Sequence, residues 1–300
     1  MNWSVMKECI LCPRECKVDR TIGNKGYCKV GGELMVARAA LHMWEEPCIS
    51  GEEGSGTVFF SGCSLGCVYC QNHNIAGGHA GKQITMERLS DIFLELQDKK
   101  ANNINLVTPS HYVPQIIDAI KLARAKGLSV PIVYNSSAYE KVDTLKLLEG
   151  HIDIYLPDLK YLHPEPARLY SKAEDYFIYA SKALDEMVRQ VTAASFDDRG
   201  IMKRGVIVRH LLLPGYLSDS KNIIRYLYEK YGDTIYISIM NQYTPLSGMS
   251  VYPSMNRRVS EEEYEELINY AIEIGVENGF IQEGETASES FIPEFNGEGV

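Results

Sequence analysis

The sequence predicts an α/β protein, a partial (β/α)6 barrel with a small Cys-rich metal-binding appendage at its N-terminus. Three observations lead there. After residue 56, strand-like apolar runs alternate with amphipathic helical stretches, a pattern that implies parallel strands joined by right-handed crossovers. Polar residues gather where those strands end, at Ser61, Thr108, Asn135, Asp158, Arg209 and Asn241, and barrel active sites lie at that edge. All eight cysteines fall within the first 70 residues. The expected division is a cysteine-rich appendage over 1–55, a barrel over 56–283 and a tail over 284–300 packing on the core.

Each element has a local reason. Thr57–Ser61 is apolar and β-branched enough for a strand. Thr85 is placed to N-cap a helix from Met86 to Lys99, with acid in its first turn. A second strand ends at Asn105–Thr108, and Val113–Lys126 reads as a helix closed by Gly127. Val130–Tyr134 and Ile152–Leu156 are the third and fourth strands, separated by a short helix over Val142–Leu148. Glu174–Ala193 carries apolar residues at helical spacing. Gly205–Leu213 is the fifth strand, Ser220–Tyr231 a helix, and Thr234–Met240 the sixth strand. Ser260 with Glu263 gives a final helix a capping-box start. Six units do not close an eight-fold barrel, so the barrel is open.

Composition narrows the class. A hydrophobic content of 45% and no long uninterrupted apolar run describe a globule with a large core and no membrane span. The opening Met1–Lys7 lacks the apolar core of a secretion signal, so a reducing cytoplasm is the expected home. Cysteines so clustered point to metal and not to a disulfide framework. A net charge of −10 disfavours nucleic acid as a partner, since such binding needs a basic footprint. Lys203-Arg204 and Arg257-Arg258 are isolated basic pairs.

The chemistry sits in Cys63-Ser-Leu-Gly-Cys67-Val-Tyr-Cys70, directly after the first strand. Three thiolates on one tight loop suit a [4Fe–4S] cluster, which takes four protein ligands when complete, so one iron stays open to another ligand. Three buried thiols, or a zinc site lacking a ligand, are the bland alternatives.

This spacing and position resemble the radical S-adenosylmethionine (SAM) superfamily. The whole chain from residue 9 is similar to proteins like the pyruvate formate-lyase activating enzyme, of PflX type. The resemblance is carried by Cys9–Cys16, Trp44-Glu-Glu-Pro47, Cys63–Asn72, Asn105–Tyr112 and Gln282–Thr286. It implies an oxidoreductase in which a cluster on Cys63, Cys67 and Cys70 cleaves SAM reductively to a 5′-deoxyadenosyl radical. That radical would take a hydrogen from an unidentified protein, peptide or small-molecule substrate, as a glycyl-radical activase does. An electron donor such as flavodoxin or ferredoxin is implied too. Tyr69 would then lie against the adenine. Thr108-Pro109-Ser110 stands where the family has a Gly-Gly-Glu-like segment facing the SAM amino group, a departure. Asn135 and Ser136 would meet ribose or carboxylate, Asp158 and Lys160 match an Asp-x-Lys at the fourth strand, Arg209 offers a bidentate fork, and Gln242 is an adenine or substrate contact.

Plainer readings stand beside these. Lys160 and Asp158 pair with each other, Arg209 forms a structural ion pair, Asn135 turns the chain, and His111 and His210 are hydrogen-bonded structural residues. Glu45-Glu46 is read as solvated or salt-bridged. Cys9-x2-Cys12-x3-Cys16 with Cys28 forms a second constellation, suited to a closed zinc or iron site or to an auxiliary [4Fe–4S] cluster. Cys48 reads as a buried thiol. From a different functional class, the same residues would serve a non-catalytic iron–sulfur or zinc protein that binds or relays electrons.

Overall fold

A computed structural model describes residues 3–282 and 293–300. Its strands are β1 (Leu34–His42), β2 (Ser55–Phe60), β3 (Lys82–Ile84), β4 (Ile104–Val107), β5 (Ile132–Ser136), β6 (Ile154–Pro157), β7 (Ser195–Phe196), β8 (Met202–Leu211), β9 (Tyr236–Met240) and β10 (Gly279–Ile281). The helices are α1 (Pro47–Ser50), α2 (His73–Ala76), α3 (Met86–Asp98), α4 (Val113–Ala125), α5 (Val142–Leu147), α6 (Pro164–Ser171), α7 (Tyr176–Val191), α8 (Leu217–Tyr231) and α9 (Glu261–Glu273). Among the described residues no helix is long and apolar enough to cross a membrane.

The sheet runs β10-β9-β8-β6-β5-β4-β2-β1-β3. From β2 to β10 every neighbouring pair is parallel. The intervening helices pack on that sheet through buried faces such as Leu89, Ile92, Phe93 and Leu96 of α3. This is the open α/β barrel the alternation predicts. The local signals hold as well. Thr85 accepts a hydrogen bond from the Arg88 amide, and Ser260 and Glu263 complete a reciprocal capping box.

Seven elements were not legible: β1, β3, β7, β10, α1, α2 and α6. β1 pairs antiparallel with β2, and β3 pairs antiparallel with β1. Its sequence Leu-Met-Val-Ala-Arg-Ala-Ala-Leu-His is rich in helix formers, and only the cross-strand partner makes it a strand. α6 opens on Pro164-Glu-Pro166, which reads as loop, yet proline is tolerated in a first helical turn. β10 is too short to show a period.

The cysteine-rich segment has a core of its own only in Met6, Cys9 and Leu11 and is tied to the barrel by polar bonds. Fully buried Arg20 donates from Nε to the Gly31 carbonyl at 2.9 Å and from Nη1 to the His111 carbonyl at 2.5 Å. The Thr144 hydroxyl donates to the Leu11 carbonyl at 2.7 Å. At the other end of the chain, residues 293–300 lie along the outer edge of β1. The Gly297 amide donates to Ala37, and the Ala39 amide donates to Glu298 at 2.9 Å. Phe295 packs edge-on against Phe59. A covering segment of this kind protects an edge that would otherwise template other chains. Phe291 and the Glu283–Thr286 part of the motif noted above lie outside the described residues.

One buried acid stands out. Glu140 is fully buried, bonded to the Ser110 hydroxyl, and burial pushes its carboxyl up to about 7 from 4.5. The native state therefore holds this proton between about pH 4.5 and 7 while the unfolded chain has lost it, so Glu140 costs stability as pH rises through that window. Glu140→Gln should match the wild type near pH 4.5 and exceed it by on the order of 3 kcal/mol above neutrality. Urea unfolding at pH 5 and pH 8 measures this; a pH-independent difference between the two proteins would refute it.

Candidate active site

The first strand of the parallel run ends at Phe60, and the chain turns at Gly62 with φ +89°. A Cβ at Gly62 would stand 2.5 Å from the Cys28 carbonyl, so only glycine allows this approach of the two cysteine segments. The loop carries Cys63, Cys67 and Cys70 to the wall of one cavity of about 270 Å³. Burial raises the thiols of Cys63 and Cys70, the latter to about 12, and each is raised further by its neighbouring cysteines. Donors are in place for sulfur. The Leu65 amide points at Cys63 at 3.4 Å, and the Ser171 hydroxyl donates to Cys67 at 3.1 Å. That hydroxyl ends a chain running from Tyr69 through Tyr161, with oxygens 2.8 and 2.7 Å apart.

Opposite the cysteines the cavity is floored by charge. Arg209, on β8, donates from Nε to Asp158 at 2.7 Å, from Nη1 to Glu45 at 3.0 Å and from Nη2 to Asn135 at 2.7 Å. Lys160 donates to the other Asp158 oxygen at 2.8 Å. Burial would raise the Asp158 carboxyl, but Arg209 and Lys160 outweigh it and hold it below its usual value. Burial would likewise lower Lys160; Asp158 and the Cys67 sulfur prevail and raise it. Glu45 and Glu46 are both pushed up by burial against the pull of Arg209.

The cavity gathers Cys63, Cys67, Cys70, Tyr69, Thr108, Asn135, Ser136, Asp158, Lys160, Arg209 and Gln242. Thr108 is held at φ +59°, an uncommon conformation for a β-branched residue and the kind of strain found at functional sites. Two sequence candidates are not brought there. Ser110 is buried with its hydroxyl turned to Glu140, and Pro109 starts the turn Ser110–Tyr112 behind the wall. Nor do Ser61 and Asn241 reach the cavity: the Ser61 hydroxyl bonds the Ala80 carbonyl, and the Asn241 amide bonds the Gln282 side chain.

His111 and His210 are structural. Burial drives them down to about 3 and about 4, and they bond Ser61, and Leu159 with Ser220, respectively. Glu46 is buried, correcting its reading as solvated, whereas Glu45 is salt-bridged and lines the cavity. His42, Trp44, Gln71 and Tyr243 also line it and were not among the residues expected there. Trp44 and Gln71 lay inside motifs already noted, and that was the available signal.

The N-terminal thiols are also neighbours. A Cβ on Gly26 would meet Cys16 Sγ at 3.2 Å and Cys28 Sγ at 3.7 Å; beyond burial, Cys28 and Cys9 raise the Cys12 thiol, and Cys9 and Cys16 raise that of Cys28. Burial pushes Cys12 and Cys48 up to about 12. Among the described residues no three His, Cys, Asp or Glu side chains converge as ligands of a single ion. The loop of Cys63, Cys67 and Cys70 nonetheless suits a multi-iron cluster: its sulfurs share one cavity wall, carry hydrogen-bond donors and face polar groups able to hold a second ligand.

Comparison with known proteins agrees with this geometry. The chain is 28% identical over 275 residues to an uncharacterised protein of Methanocaldococcus jannaschii, covering 89% of this chain and 75% of that one. It is 27% identical over 182 residues to the pyruvate formate-lyase-activating enzyme of Clostridium pasteurianum, covering 57% of this chain and 66% of that protein. Among solved structures, SuiB of Streptococcus suis bound to S-adenosylmethionine superposes with a TM-score of 0.51 at 13% identity, over 76% of this chain and 52% of SuiB. The chain thus spans about half the length of that structural neighbour, and the likeness is one of fold. The Radical SAM superfamily profile matches residues 57–227, from β2 to α8, and the chain belongs to that superfamily.

Proposed function

We propose that this chain is a radical SAM oxidoreductase whose Cys63, Cys67 and Cys70 hold a [4Fe–4S] cluster with one iron open to SAM. The observation that carries the reading is the meeting of three cysteines and a floor of paired charge in one cavity. When bound, the cluster supplies the electron that cleaves SAM to a 5′-deoxyadenosyl radical. The protein's own residues do the rest. Tyr69 offers a ring for the adenine. The Thr108, Asn135 and Ser136 groups and Gln242 offer hydrogen bonds to the polar parts of SAM. Lys160 and Arg209, fixed by Asp158, offer positive charge to the SAM carboxylate.

The radical's target is a hydrogen on a substrate. Similarity to a pyruvate formate-lyase-activating enzyme supports a protein glycine as that target. A small molecule or free peptide is the second reading, favoured by a cavity of about 270 Å³ that is already lined by polar side chains. Cys9, Cys12, Cys16 and Cys28 would hold a structural zinc or iron, or a second cluster that relays electrons from flavodoxin or ferredoxin. The cytoplasm supplies such donors.

Two outcomes test the assignment. Cys67→Ala, reconstituted anaerobically with iron and sulfide, should lose about four irons per chain and all 5′-deoxyadenosine formation with dithionite and SAM. Cleavage retained in that variant would sink the reading. Lys160→Ala should keep its iron while its Kd for SAM rises about tenfold, the loss of one charge-assisted hydrogen bond. Isothermal titration of SAM into reconstituted protein measures it, and an unchanged Kd would remove Lys160 from the SAM site.

A further inference from the structure

Cys12 and Cys16 flank one residue that reaches the other cysteine loop. Arg14 donates from Nε to the Ser64 carbonyl at 2.9 Å and from Nη2 to the Leu65 carbonyl at 3.1 Å. Both acceptors lie between Cys63 and Cys67. The same guanidinium donates to the Ser171 carbonyl at 2.8 Å and to the Lys172 carbonyl at 2.5 Å, at the end of α6. Ser171 is the residue whose hydroxyl bonds Cys67. The guanidinium itself lies 3.8 Å over the ring of Tyr27, next to Cys28.

Four carbonyls from two segments are thereby fixed by one planar fork, and among the described residues no carboxylate pairs with it. Arginine presents five N–H donors in a rigid geometry that lysine cannot reproduce. Bonds from a charged donor are each worth more than neutral ones. Between Cys63 and Cys67 the Ser64 and Leu65 carbonyls are held by Arg14, while the rest of the loop is tied by the Gly62 amide on Ile75 at 2.7 Å, the Val68 amide on Tyr170 at 2.8 Å and the Tyr69 hydroxyl on Tyr161. Gly62 and Gly66 are both at positive φ, and the segment between β2 and α2 has no regular structure. The apposition is tight at Gly62, where a Cβ would stand 2.5 Å from the Cys28 carbonyl, and Gly66 rests against the Tyr27 ring.

We propose that Arg14 is a positioning residue through which the N-terminal cysteine segment presets the loop of Cys63, Cys67 and Cys70. This rests on the reading of that loop as the cluster site. It gives the N-terminal segment a role that does not depend on which metal its cysteines take, because the fork is held by its own bonds to four carbonyls. Arg14 touches neither cavity nor thiol in this account; it acts through Ser64, Leu65 and Ser171.

The test uses full-length, metal-free protein and iodoacetamide, with alkylation of each cysteine followed by peptide mass spectrometry. Cys48, buried in a separate cluster around Ile49 and Ile154, is the internal reference. In Arg14→Gln and Arg14→Lys, Cys63, Cys67 and Cys70 should be alkylated about tenfold faster than in the wild type, with Cys48 unchanged. Lysine keeps the charge and loses the fork, so failure of Arg14→Lys to restore the wild-type rate marks geometry as the cause. Rates within twofold of wild type in both variants overturn the proposal. Acceleration of Cys48 in step with the loop overturns it too, because Arg14 would then support the whole fold. The iron per chain lost on going from reconstituted wild type to Cys67→Ala separately decides whether the loop is a cluster site.

Discussion

The Arg209–Asp158 contact is the interaction on which the cavity floor depends. The two residues belong to adjacent parallel segments, and the Leu159 amide also donates to the Arg209 carbonyl at 2.8 Å. From that anchor the guanidinium reaches Asn135 on β5 and Glu45 in the connection between β1 and β2. One side chain thus ties three neighbouring strand ends to a loop from the far side of the sheet. Such a cluster is expensive to bury, and removing one member would strand the others at a cost of about 3–5 kcal/mol. The pairing also keeps the charges of the floor fixed in direction. A polar ligand entering the cavity meets dipoles that need no reorganisation.

How much of this was legible follows from which residues carry local information. The alternation of strands and helices, the Thr85 cap and the Ser260 capping box are short-range signals, and the structure obeys them. The cysteine triplet is short-range too, and its loop meets the cavity as a unit. Strand-end positions located Asn135, Asp158 and Arg209, because a parallel sheet delivers every strand's C-terminus to one edge. What that rule cannot decide is side-chain direction one or two residues past the strand. Thr108 turns inward at positive φ and Ser110 turns away to Glu140. β1 was hidden because its strand state is imposed by β2. Glu45 was left as an ordinary acid because its partner Arg209 lies 164 residues away.

The two cysteine groups illustrate the same limit from the other side. Spacing alone separates them into a triplet and a quartet, and it says nothing of their apposition. In the fold, Gly62 meets Cys28 and Gly66 meets Tyr27. The glycines of the cluster loop are therefore placed for contact with the appendage as much as for tight turning. A single methyl group on Gly62 would stand 2.5 Å from the Cys28 carbonyl and push the loops apart, whereas one on Gly66 would rest in ordinary contact with the Tyr27 ring.

Burial then sets the condition under which the loops can be filled. Cys70 and Cys12 are each pushed up to about 12, so in the metal-free protein these thiols hold their protons at neutral pH. A metal or cluster binds thiolate, and its arrival must release those protons. Low-dielectric surroundings that disfavour a lone thiolate also strengthen the pull of a bound cation on it. The site is thereby poor at ionising by itself and good at holding what ionises it.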